Sequence, residues 1–236
     1  MTKALLLFSG GQDSTTALAW SLKKFDEVFL ISFDYGQRHL IEIKSSAIII
    51  KKIKKSFTWK GRIAKSYIYK INNINNFNKN ALTSTANISI KKNKLPNTFV
   101  PGRNLIFYTI GAAYAYDKKI NNIVSGVCQT DYSGYPDCRN ETITSLENAI
   151  NLGMEKKYLF HTPLMWKTKS EIWKMAYNLG GKKLLNFIKI NTHTCYKGNR
   201  KNLFDWGYGC NKCPACELRS NGWFNFIKEN KINEKI

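Results

Sequence analysis

Two clusters in this sequence carry the residue types that chemistry needs. The first is Ser9-Gly10-Gly11-Gln12-Asp13-Ser14-Thr15-Thr16. Glycines let backbone N–H groups come close to a ligand, and the unpaired amides and positive dipole end of a helix favour phosphate. Ser9, Ser14 and Thr15 add hydroxyl donors. Asp13 has the wrong sign for a phosphate cradle, and it makes sense when a metal cation or an amine shares the site. The stretch lacks the Gly-Lys-Ser/Thr ending of a Walker A loop and the spacing of G-x-G-x-x-G. The second cluster is Cys195-x14-Cys210-x2-Cys213-x2-Cys216. Four thiolates at short spacings suit a closed tetrahedral zinc site with no position open to water; an iron–sulfur cluster is the other candidate. Lys212 and Arg219 are candidates to offset its negative charge. Cys128 and Cys138 read as small core or loop residues and not as ligands.

The elements that must position these clusters follow from periodicity. The apolar run at 4–8 has the length of a buried parallel strand, and the segment after Asp13 reads as a helix to Leu22. A second strand at 28–34 ends in Tyr35-Gly36-Gln37-Arg38-His39. A helix is expected at 42–54, although its Ile48-Ile49-Ile50 run is β-branched. A third strand is expected at 66–71 and a loop at 72–96. Val100-Pro101-Gly102-Arg103-Asn104 precedes a helix at 105–116, and a strand at 122–126 opens into a polar stretch at 128–139. A helix at 140–152 and a strand at 158–163 follow. Thr168-Lys169-Ser170-Glu171 is a capping box for a helix that Gly180-Gly181 should stop after Leu179. Strands alternating with helices predict a doubly wound parallel α/β sheet, Rossmann-like in type. Ligands of such sheets bind at the carboxyl ends of the strands, so the phosphate loop, 35–39 and 131–139 should form one composite site.

The 236 residues are 43% hydrophobic, enough for a substantial core, and no apolar run has the length of a membrane span. The run at 4–8 is too short for a signal peptide. A soluble, cytoplasmic protein is expected. The formal charge of +21 invites a nucleic-acid reading. It is discounted, because the lysines are scattered and no aromatic residues interleave with them as a stacking platform requires. Lysine, asparagine and isoleucine are also abundant where no site is evident, as at 71–80.

Ser9-Gly10-Gly11-x-Asp13-Ser14 resembles the signature of the PP-loop ATP pyrophosphatases, which split ATP between the α and β phosphates and leave a substrate adenylated. Further stretches make the resemblance specific. They are Asp34-Tyr35-Gly36-Gln37-Arg38, Val100-Pro101-Gly102-Arg103-Asn104, Asp131-Tyr132-Ser133-Gly134-Tyr135-Pro136-Asp137-Cys138-Arg139, Thr162-Pro163-Leu164-Met165 and the four cysteines. With them, nearly the whole chain resembles the 7-cyano-7-deazaguanine synthase family. The fourteen residues between Cys195 and Cys210 exceed the family's usual spacing, through an insert at 199–208.

The resemblance implies an ATP-binding α/β domain of the adenine nucleotide α-hydrolase type over 1–190 and a zinc-binding segment over 191–236. It implies that 7-carboxy-7-deazaguanine, free ammonia and ATP give the 7-nitrile, with Mg2+ accompanying ATP, one structural Zn2+ per chain and a homodimer. ATP would lie on Phe8-Ser9-Gly10-Gly11-Gln12-Asp13-Ser14-Thr15-Thr16-Ala17-Leu18. Asp13, Arg103 and Lys169 are the candidates for charge at the reacting centre. A guanine-like ring needs an aromatic to stack on and a carboxylate to accept from its N–H groups. Tyr35, Tyr132 and Tyr135 supply the first, Asp131 and Asp137 the second, with Gln37, Arg38, Asn104 and Ser133 beside them. Two other readings stay open: a PP-loop tRNA-modifying enzyme such as a sulfur transferase, and a non-enzymatic, zinc-stabilised nucleotide-binding module.

Overall fold

β1 (Lys3–Leu7) is the centre of the molecule, with Ala4, Leu5 and Leu6 wholly buried. Only a strand hydrogen-bonded on both edges and covered on both faces hides every side chain in this way. The computed structural model describes residues 1–37, 41–71, 97–130 and 135–231. Within them a five-stranded, wholly parallel sheet runs in the order β3-β2-β1-β4-β5. Its other strands are β2 (Glu27–Asp34), β3 (Arg62–Lys70), β4 (Asn122–Val124) and β5 (Leu159–His161). β3 starts four residues before the segment expected from sequence.

The side chains of β1 alternate between two cores. Ala4 and Leu6 meet α1 (Gln12–Lys24), α2 (Ile41–Ser56), α5 (Lys169–Asn191) and α6 (Pro214–Glu229) on one face. Leu5 meets α3 (Arg103–Asp117) and α4 (Asn140–Gly153) on the other. This is the doubly wound α/β architecture expected from the alternation of elements. The chain leaves β1 towards β2 and β3, then returns to β4 on the other side. The crevice at the carboxyl ends of β1 and β4 is therefore the topological switch point.

α1 carries Asp13 in its first turn and Lys23 and Lys24 in its last, in the sense its dipole favours. Its buried Thr15, Thr16, Ala17 and Ala19 are small enough to bring the helix close to the sheet. Thr168 caps α5 in the expected capping box with Glu171. Gly180 and Gly181 break the helical geometry, as their residue type predicts, but the chain kinks there and continues helically to Asn191. Buried Leu184, Leu185, Phe187 and Ile188 reward the second half with apolar burial, which a propensity argument does not see.

After α5 the two-residue strands β6 (Leu203–Phe204) and β7 (Gly207–Tyr208) form a small antiparallel ribbon within the stretch read as an insert. Trp206, Trp223, Phe226 and three of the clustered cysteines belong to the same apolar core as β1 and α1. Arg219 is fully buried among them. It donates to the carbonyls of Trp206 (3.0 Å) and Ile188 (3.2 Å) and to Thr194 Oγ1 (2.9 Å). No described helix is long and apolar enough to cross a membrane.

Candidate functional site

The turn from β1 into α1 is built for close approach. Gly10 has φ +81, and a Cβ there would lie 2.9 Å from both Glu42 O and Ser46 N at the start of α2. A Cβ on Gly126, just beyond β4, would lie 2.9 Å from Ser14 N. These glycines let three elements crowd around the first turn of α1. Its N-cap, Gly11, provides no side-chain cap, so the first-turn amides remain for a ligand. Ser14 Oγ accepts from Gly10 N at 3.1 Å and lies 3.0 Å from Ser9 Oγ.

Lys169, the first residue of α5, donates to Asp13 Oδ2 at 2.6 Å. Asp13 thus has an amine beside it, one of the two partners its charge called for, and the protein itself supplies it. The other oxygen, Oδ1, is buried without a partner among the described residues, as are both amide atoms of Gln12. Buried polar groups are nearly always satisfied. These exceptions border a cavity of about 350 Å³, within the range of small-ligand pockets, roughly 300–1,000 Å³.

Aromatic side chains line the same cavity. Tyr35, Phe107, Tyr108 and Tyr135 line it, together with Glu42, Arg103 and Asn104. Arg103 opens α3, with its guanidinium carbon 5.8 Å from the Tyr35 ring centre and 5.9 Å from that of Tyr135. Its Nη1 donates to Tyr35 Oη at 3.5 Å, and its Nε is buried without a partner among the described residues. Burial pushes the Tyr35 phenol up. Loss of solvent also pushes the Glu42 carboxyl up from 4.5 to about 7, against the pull of Arg103.

Of the residues named from sequence, Phe8, Ser9, Gly11, Gln12, Asp13, Ser14, Tyr35, Gln37, Arg103, Asn104, Tyr135 and Lys169 line the cavity. Thr15, Thr16, Ala17 and Leu18 are buried along α1 behind the loop. Gln37 also folds back on its own turn: Oε1 accepts from Tyr35 N (3.0 Å) and Nε2 donates to Phe33 O (3.4 Å). Asp137 accepts the Asn104 amide N–H at 3.0 Å, at the start of α3, and is only 4% exposed. Arg38, Asp131, Tyr132 and Ser133 lie outside the described residues.

Glu42 and His193 are titratable cavity residues that were not singled out from sequence. Glu42 looked like an ordinary first-turn acid of a helix. His193 sits two residues before Cys195, a spacing that was its only signal. Its backbone N–H donates to Gly10 O at 3.3 Å, its Nε2 lies 3.0 Å from Cys195 O, and its Nδ1 is buried without a partner among the described residues. It joins the cysteine cluster to the phosphate loop.

The sulfurs of Cys195, Cys210, Cys213 and Cys216 lie within 4.8 Å of one another, close enough to hold a metal ion. Bonds of about 2.3 Å in a tetrahedron set its edges near 3.8 Å; Cys210 and Cys216 are 3.9 Å apart. Hydrogen bonds from Cys213 and Cys216 favour the thiolate of Cys195, the form a metal takes. Cys128 and Cys138 stand apart, in the cavity wall.

A parallel sheet with a glycine turn and helix N-terminus at its switch point, opening on a small-molecule cavity, defines an α/β enzyme of the PP-loop, nucleotide-binding class. The chain belongs to the family described as queuosine biosynthesis protein QueC, whose model matches residues 3–227. It is 48% identical over 229 residues to the 7-cyano-7-deazaguanine synthase of Janthinobacterium sp. (strain Marseille), covering 97% of each chain. It is 50% identical over 225 residues to that of Herminiimonas arsenicoxydans, covering 95% of this chain and 97% of the other. Among solved structures, a 4-thiouridine synthetase in complex with RNA and bound ATP shares the fold, with a TM-score of 0.54 at 17% identity. That match covers 97% of this chain and 53% of the synthetase.

Proposed function

We propose that this enzyme converts 7-carboxy-7-deazaguanine, ammonia and ATP into 7-cyano-7-deazaguanine, the activity its curated relatives are named for. The observation that carries the reading is one cavity lined both by the glycine turn before α1 and by aromatic rings with a carboxylate. A carboxylate is a poor electrophile. Its oxygen attacks the α-phosphorus of ATP, pyrophosphate leaves, and ammonia displaces AMP to give the amide. The amide oxygen then attacks the α-phosphorus of a second ATP, pyrophosphate leaves, and loss of AMP with two protons from nitrogen leaves the nitrile. Such chemistry needs the two reactants held together and the charge moving onto pyrophosphate stabilised. The first-turn amides of α1 face that charge. Lys169, held by Asp13, adds a fixed cation, and Arg103 adds another towards the ring.

Cys195, Cys210, Cys213 and Cys216 are the residues that would hold Zn2+, and four thiolates leave it a structural part. Mg2+ would arrive with the phosphates, with Asp13 Oδ1 as the buried oxygen next to them. Residues 191–236 are proposed as the zinc-binding lobe of the 1–190 ATP-binding domain. A cytoplasmic homodimer completes the reading. The sulfur-transfer alternative yields to the identity with the synthases, and fold likeness to the thiouridine enzyme carries no activity. Chromatography of the nucleotides tests the proposal. AMP and pyrophosphate should form only with the carboxy-deazaguanine present and should accumulate over many turnovers only when ammonium is added; ADP as the main product would overturn it.

A further inference from the structure

A guanine-like ring presents one carbonyl acceptor and two neighbouring N–H donors along a single edge. The carbonyl asks for a donor, and the two N–H groups match the two oxygens of one carboxylate. Asp137 is engaged with the Asn104 amide. Asp13 is paired with Lys169. Glu42 is different. It lines the cavity from the first turn of α2, and its side chain has no hydrogen bond or ion pair among the described residues. Its electrostatic neighbours are Arg103 and Tyr35. Arg103 keeps a buried Nε without a partner on the same cavity. A carboxylate that has lost water on a cavity wall is costly to ionise unless it is hydrogen-bonded, so a ligand in that cavity can supply what Glu42 lacks among the described residues.

We propose that Glu42 is the specificity residue of this site, its carboxylate accepting from the ring N–H and 2-amino groups of the deazaguanine while Arg103 faces the ring carbonyl. This rests on the synthase reading and names how that substrate is recognised. Glu42 lines the cavity next to the phosphate loop, its own backbone oxygen packing against Gly10. An ammonia-handling role for the same carboxylate is the rival outcome.

The test is calorimetric titration of the zinc-loaded full chain, as parent and as Glu42→Gln, with 7-carboxy-7-deazaguanine, with its analogue lacking the 2-amino group, and with a non-hydrolysable ATP analogue. Losing a charge-assisted hydrogen bond should weaken carboxy-deazaguanine binding about tenfold or more. The ATP analogue should bind both proteins alike, which also shows that the variant is folded. Glu42→Gln should lose most of the parent's preference for the ring bearing the 2-amino group. Equal carboxy-deazaguanine binding by both proteins would overturn the inference, as would a preference unchanged by the substitution. Normal binding by Glu42→Gln, with product formation assayed alongside and found collapsed, would overturn the inference and give Glu42 the ammonia role instead. If the parent binds ATP but not the carboxy-deazaguanine, the synthase reading itself fails and takes this inference with it.

Discussion

Asp13 and Lys169 touch at 2.6 Å, whereas Glu42 and Arg103 line the same cavity and no ion pair among the described residues joins them. The first pair is closed before any ligand arrives. Its two charges offset each other's loss of water, and Lys169 is held in place at the head of a capped helix. The second pair is left open. Desolvation holds the Glu42 carboxyl up near 7, and Arg103 is spread between two tyrosine rings. On the proposed reading, the closed pair fixes a field that pyrophosphate meets whatever the substrate is, and the open pair keeps its hydrogen-bonding capacity for one particular ring.

The largest effect should come from the support behind the closed pair. Cys213→Ser removes one thiolate from the cluster that reaches Gly10 through His193. Metal content should fall from about one zinc per chain to little, and Tm should drop on the order of 10 °C, because binding energy at a structural site is folding energy. Full metal loss with an unchanged Tm would detach the cluster from the fold. Next comes the pair itself. Lys169→Met should lower kcat by roughly a hundredfold to a thousandfold, as loss of one preorganised donor does. Carboxy-deazaguanine binding should stay near the parent's. A variant that loses ring binding instead would erase the distinction between the two pairs.

The smallest effect concerns pH. The folded-state carboxyl of Glu42 is raised from 4.5 to about 7 by burial, with Arg103 and Tyr35 facing it. The fold therefore favours the protonated form. Below about 4.5 the group is protonated in both states and costs nothing; as pH rises towards 7 the unfolded chain ionises first and the ligand-free parent loses stability. Glu42→Gln lacks that loss. The Tm difference should move in the variant's favour across this window and then level off. A difference that is flat from 4.5 to 7 would mean that Glu42 is solvated and the open pair is not open.

The closed pair was legible in the sequence, and the open pair much less so. Ser9-Gly10-Gly11 and Asp13 are local signals, because a strand, a glycine turn and a helix start lie within a few residues. The amine that Asp13 called for comes from Lys169, 156 positions away, which only the packing of α5 on α1 brings home. The cysteines were legible because their spacing is itself the geometry. Glu42 gave no local sign: an acid in a first turn is ordinary, and only the loss of water in the folded cavity makes it unusual. Asp137 drew attention for its loop and spends its carboxylate on the start of α3. The second half of α5 and all of α6 were missed as helices, since tertiary burial of Leu184, Ile188, Trp223 and Phe226 decides them.

The central claim is that one cavity activates a carboxylate on a deazaguanine and replaces it with a nitrile nitrogen. Mass spectrometry of a reaction containing 7-carboxy-7-deazaguanine, ATP and isotopically labelled ammonium tests it most directly. The account predicts 7-cyano-7-deazaguanine carrying the label on its nitrile, absent when ATP is omitted. Consumption of ATP with the carboxy-deazaguanine left unchanged would contradict it.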